Sequence, residues 1–233
     1  MESVALQEEV EHEVLLIENH DCLQIQEVIN RFEAEHIKSI ELDSCVDAMI
    51  QKGIDEASGE YINILRPGEY YISNYALQTI SEFIDASDSP DVVACGRIVR
   101  SADTQKLVFD RFDHQALRRG CFPSTLEHLW IKKSVFERTQ GFDAHFQFKG
   151  KFDFFTRLVS IEPKLLEFHR VLTDSHRLKR DLKSPLIEGQ EMIQILSKRY
   201  GPLCAIRWWF TQNQMNFFKG LAKVLKKSFL GRT

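Results

Sequence analysis

At 233 residues, with 43% hydrophobic and 27% charged, the chain is long enough to bury a core and too apolar for a disordered polymer. A formal net charge of -4 gives no electrostatic ground for nucleic-acid binding. The five cysteines are odd in number and form no C-x-x-C pair, which argues against a disulfide framework or a thiolate metal cluster and for reduced thiols.

Residues Met1 to Glu13 are acidic and lack the apolar run of a signal peptide. No stretch approaches the ~20 apolar residues that span a bilayer. The chain is expected on the side of the membrane where it is made, in the cytoplasm.

Val14-Leu15-Leu16-Ile17 is an apolar run bounded by polar residues, the pattern of a strand buried on both faces. Ile25, Val28, Ile29 and Phe32 recur at helical spacing, and Ile37 to Glu41 reads as a second strand. Asp43 to Ala57 is a predicted helix with Val46, Met49, Ile50, Ile54 and Ala57 on one stripe, stopped at Ser58-Gly59, where Gly59 suits a left-handed cap. Tyr61 to Leu65 is a strand, Tyr75 to Ile84 a helix and Val92 to Cys95 a strand. Such alternation with short links predicts a mostly parallel α/β sheet. Beyond Gly96, Ile98-Val99 and Leu107 to Phe109 suit a hairpin around Ala102-Asp103. Leu129 to Lys133 and Leu165 to Val171 are further strands; Val135 to Gln140 and Phe152 to Ser160 are helices.

From residue 185 the pattern is helical: Leu186 to Tyr200, a stop at Gly201-Pro202, then Leu203 to Leu230. The last segment places Lys219, Lys223, Lys226, Lys227 and Arg232 among apolar residues. Such a helix suits an anionic membrane surface, or its aromatic stripe, with Trp208, Trp209 and Phe210, packs on the domain. Two domains are therefore expected, 1–184 and 185–233.

Glu41, Asp43, Gly53, Ile54, Ala57, Gly59, Tyr61, Ile62 and Leu65 match, in order and spacing, the phrase E-x-D-x-G-I-x-x-A-x-N-x-G-I-x-x-A-x-G-x-Y-I-x-x-L. A second stretch runs from Leu129-Trp130-Ile131-Lys132 through Gly141-Phe142-Asp143 to Asp153 and Arg157. Together these resemble family-2 glycosyltransferases. The likeness runs from about Val14 to Asp174.

The resemblance implies a GT-A fold, a Rossmann-type sheet that holds a nucleotide-sugar at its strand ends, here lacking its first strand and followed by C-terminal helices. It implies a sugar passed from a nucleotide-sugar donor to a surface polysaccharide or lipid-linked glycan, with the basic helix bringing the domain to the inner membrane face. It places Glu18, Asp43, Gln51 and Arg66 toward the nucleotide-sugar. It also places Glu69 toward a divalent metal, Mn or Mg, that would neutralise the departing diphosphate.

The sequence departs from this pattern at several points. Gly and Ser are absent from Glu18-Asn19-His20-Asp21, which then reads equally as a ligand-free polar loop. The acidic pair of the metal motif is replaced by Arg66-Pro67-Gly68-Glu69, which reads as a metal-binding loop, as a diphosphate-binding Arg66, or as a tight turn. Lys151 stands where the family has its general base, and a lysine accepts a proton near neutrality only if burial or neighbouring cations depress its pKa. Asp153 is the remaining carboxylate for that role. The same departures suit a catalytically inactive protein that keeps the fold as a binding or assembly module.

Overall fold

The structure, a computed structural model, describes residues 2–18, 37–101, 104–109, 114–122, 125–176 and 185–211. The predicted helix around Ile25 to Phe32, the hairpin tip Ala102-Asp103 and the basic end of the last helix lie outside the described residues. The chain divides into two compact units, Met1–Phe112 with Pro123–Leu182, and Asp113–Phe122 with Lys183–Thr233.

The first unit begins with a short helix α1 (Glu2–Ala5) and the strands β1 (Val14–Glu18) and β2 (Ile37–Glu41), which pair in parallel as a two-stranded sheet. Helix α2 (Val46–Glu56) follows, then β3 (Tyr61–Ile62), β4 (Glu69–Tyr71), α3 (Ala76–Ala86) and the long β5 (Val92–Ser101). β6 (Thr104–Val108) folds back on β5 as the expected hairpin. After α4 (His114–Arg118), the first unit resumes with β7 (Leu129–Lys132), α5 (Lys133–Thr139), α6 (Gly150–Ser160) and β8 (Leu165–His176).

The larger sheet runs β3-β7-β5-β8-β4, with β6 paired to β5. Parallel pairing joins β1 to β2 and β5 to β8; the other pairings are antiparallel, so this sheet is mixed where the strand–helix alternation implies a mostly parallel one. Alternation is interrupted at β3 and β4, which follow one another with no helix between; after β5 the chain makes a hairpin, and β7 then returns antiparallel to β5. Among the described residues, β1-β2 and the other six strands form two separate sheets.

Period-two alternation along β5 divides the core. Val93 and Cys95 join Trp130, Tyr71 and Leu172 under Ala76, Leu77, Ile80 and Ile84 of α3. Val92 and Ala94 point to the opposite face and are buried too. Where α5 meets α6, Phe136, Phe142 and Phe154 stack with ring centroids 4.7–6.5 Å apart. Such an aromatic cluster fixes the first turn of α6.

Three expectations need correction. β1 is not buried on both faces: Val14 to Ile17 are each half-buried, because among the described strands β1 pairs with β2 alone. In α2, Val46 is 58% exposed while the acidic Asp47 is buried, so the stripe is turned by about one residue at its start. Gly59 does not take a positive φ. The helix end is held instead by the Glu13 carboxylate, which accepts from Ser58 N, Ser58 Oγ and Gly59 N at 2.6–2.7 Å.

In the second unit, α4 lies with α7 (Pro185–Tyr200) and the helical residues 202–211. Gly120 has φ +73 and the Trp208 ring rests on it; a Cβ there would sit 2.4 Å from that ring. Trp208 thus packs inward, whereas Leu203, Ile206, Trp209 and Phe210 are exposed. Among the described residues no helix is long and apolar enough to cross a membrane.

Candidate functional site

The loop that leaves β3 carries Arg66-Pro67-Gly68-Glu69. Pro67 and Gly68 occupy the central positions of a tight turn, with Gly68 at φ +86 and Glu69 N donating to Arg66 O at 2.9 Å. That turn folds Glu69 back on Arg66. Glu69 Oε2 accepts from Arg66 N at 2.8 Å, and Oε1 accepts from Arg66 Nε at 3.1 Å and Nη2 at 2.7 Å. The guanidinium is thereby fixed, with Nη1 left without a hydrogen bond among the described residues.

Glu127 arrives from the segment before β7. Asn63 positions that segment, donating to Glu127 O at 3.1 Å and Leu129 O at 2.8 Å while Tyr71 Oη donates to Asn63 Oδ1 at 2.8 Å. Glu127 is 1% exposed and pairs with Arg97 of β5 at 3.3 Å. Asp47 comes from the first turn of α2 and reaches α6 because residue 150 is glycine: a Cβ there would stand 2.2 Å from Asp47 Oδ2.

Lys151, in the first turn of α6, is the centre of this group. Its ammonium is half-buried and makes no hydrogen bond or ion pair among the described residues. Burial and the neighbouring Arg66 charge push its pKa down to about 8, against the pull of Glu127, Glu69 and Asp47. Glu69 is shifted up, by burial and by Glu127, with Arg66 opposing. At Glu127 burial works upward too, but hydrogen bonds from Thr125 and the backbone, with the charges of Arg97 and His128, outweigh it and hold the carboxyl below its usual range.

The sequence-selected residues divide as follows. Arg66, Glu69 and Lys151 come together. Gln51 is drawn to the G-F-D turn, where its Oε1 accepts from Phe142 N at 2.6 Å and its Nε2 donates to Asp55 at 2.7 Å. Asp153 is 2% exposed and accepts from Arg157 Nε at 2.8 Å; Arg157 in turn donates to Thr139 O. Glu18 is buried at the end of β1 and accepts from Ser39 Oγ, and Asp43 is exposed ahead of α2.

Sequence reasoning missed Asp47, Arg97 and Glu127. Asp47 lies one helical turn past Asp43, and Glu127-His128 is a charged pair directly ahead of a buried strand; those are the only traces in the sequence.

The arrangement does not suit a divalent cation. Both Glu69 oxygens are occupied by Arg66, and the positive charges of Arg66 and Lys151 stand among the carboxylates of Glu69, Glu127 and Asp47. Among the described residues no group of three or more His, Cys, Asp or Glu stands ready to hold a metal ion.

No protein-family model and no curated protein matches the sequence. Solved structures do match. The crystal structure of S. aureus TarS 1–349 in complex with UDP superposes with a TM-score of 0.64 at 13% identity, over 85% of this chain and 59% of that one. The structure of S. aureus TarS matches at 0.60 and 14% identity, over 86% of this chain and 40% of that one. The chain has a GT-A-type glycosyltransferase fold. In this fold the Arg66–Glu69 turn lies between β3 and β4, Glu127 lies just ahead of β7, and Lys151 lies in the first turn of α6. The chain spans 59% of the length of TarS 1–349, and so corresponds to part of that protein.

Proposed function

We propose that the first unit binds a nucleotide-diphospho-sugar at the Arg66–Glu69–Glu127–Lys151 cluster, and that the protein is a glycosyltransferase acting on a surface polysaccharide or lipid-linked glycan. The observation that carries this reading is the convergence of these four residues from three separate segments of a GT-A fold: the turn between β3 and β4, the segment before β7 and the start of α6. A structural neighbour with the same fold was solved with UDP, which supports a nucleotide ligand. Charged side chains are rarely buried unless something repays the desolvation, so such a cluster at loop ends is a functional candidate on physical grounds.

Glu18 and Asp43, at the β1 end and ahead of α2, are proposed on the nucleotide side, and Gln51 supports them by holding the G-F-D turn to α2. An acceptor on a membrane would meet the second unit, where Leu203, Ile206, Trp209 and Phe210 are exposed, at the cytoplasmic face. Failure to float with anionic vesicles would remove that last element.

A second reading, binding without transfer, is favoured by one observation. The position of the general base is taken by Lys151, and the nearby carboxylate, Asp153, is held by Arg157. Thermal-shift screening against UDP-, GDP- and dTDP-sugars, followed by an assay of released nucleotide, separates the readings. Stabilisation with turnover supports transfer, and stabilisation without turnover supports the binding module. No response to any donor would refute both.

A further inference from the structure

The donor set that excludes a metal does something else. Of the cations in the cluster, Arg97 is engaged by Glu127, and two of the three guanidinium nitrogens of Arg66 are engaged by Glu69. The donors left over are Arg66 Nη1 and the ammonium of Lys151. These two positive groups repel each other across a half-buried space. A phosphate chain carries several acceptor oxygens and at least two charges, so it can accept from both at once and remove the repulsion.

We infer that the diphosphate of the bound nucleotide is gripped directly by Arg66 and Lys151, and that these two residues replace the divalent cation, so that nucleotide binding is independent of metal. The inference rests on the proposed nucleotide-sugar site and adds to it the chemistry of diphosphate recognition. The groups that face Lys151 are Arg66 and Glu69 from the turn and β4, Glu127 from the segment before β7, with Arg97 of β5 behind it, and Asp47 from α2. A diphosphate favours the protonated lysine. Binding is therefore full below about pH 8, where Lys151 is already charged, and weakens as pH rises beyond it.

The test is calorimetric titration of the whole protein with UDP, in EDTA and in excess Mn, at pH 7.0 and 8.8. The expected result is the same affinity within about twofold in EDTA and Mn, and a several-fold weaker affinity at the higher pH. Lys151→Met and Arg66→Met should each weaken binding by about tenfold or more, the loss of one charge-assisted contact. Lys151→Arg, always charged, should keep affinity but lose the pH dependence. Circular dichroism checks that each variant is folded, and the metal and pH comparisons need only the natural protein. Binding of UDP in Mn but not in EDTA would overturn the inference and leave the nucleotide-sugar site standing. Absence of binding in both would overturn the two together. Metal-free binding indifferent to Lys151→Met would remove Lys151 from the grip.

Discussion

Arg66 and Glu69 close a turn on themselves: the backbone N–H and the guanidinium of Arg66 both donate to one Glu69 carboxylate. A carboxylate used this way is a strut, and the arginine it fixes is the group presented outward. Glu69→Ala leaves Arg66 N–H and its fork unsatisfied at a site where Glu69 is only 5% exposed. The expected cost is about 1–3 kcal/mol in denaturant unfolding. Glu69→Gln, which keeps an acceptor oxygen, should lose less.

Lys151 is placed against its own stability. Its folded pKa, about 8, lies below the ordinary lysine value of 10.5, so folding disfavours the charged form. The penalty is complete below pH 8, fades between about 8 and 10.5, and is gone above. Lys151→Met should therefore raise stability at pH 7 by about 1 kcal/mol, or about 2–4 °C, after allowance for partial solvent screening. Its advantage should vanish by pH 10.5. A loss of stability that is the same at pH 7 and pH 10 would contradict the placement.

Asp153 and Arg157 form a buried pair, 3% and 10% exposed at their side chains. Breaking such a pair from one side strands the other charge. Asp153→Asn is expected to cost about 3 kcal/mol or more by chemical denaturation. UDP affinity of the folded fraction should stay close to that of the natural protein. Normal stability with abolished turnover would instead restore Asp153 as the proton acceptor.

Gly141 is held at φ +57, and Gln51 Oε1 would lie 2.0 Å from a Cβ placed there. Gly141→Ala combines a disfavoured backbone with a clash and should destabilise by about 1–3 kcal/mol. Gln51→Ala loses only the bond to Phe142 N, so about 1 kcal/mol is expected. Both are measured by thermal unfolding; similar losses for the two would mean that the glycine is not needed at that turn.

Much of the architecture was legible because it is periodic. The α2 stripe at Ile54 and Ala57, the alternation of β5 and the strand at Leu129 each follow from a hydrophobic repeat set by backbone geometry. The half-exposure of β1 was not legible, since an apolar run does not say how many strands will flank it. The site divided in the same way. Arg66, Glu69 and Lys151 stand at positions the family phrases number, so the sequence offers them directly. Asp47, Arg97 and Glu127 are ordinary charged residues until the fold buries them together. Gln51, a polar residue inside a family phrase, reads as a ligand contact; the structure adds what the sequence does not show, that its amide holds the turn at Phe142.

The central claim, that a nucleotide diphosphate sits where the Arg66 turn, Glu127 and the start of α6 meet, is tested most directly by an amide NMR titration of the isotope-labelled protein with UDP. The account predicts saturable shifts concentrated at residues 66–69, 127 and 150–151, with little change at residues 185–211. No shifts at millimolar UDP, or shifts confined to segments away from those three, would contradict it.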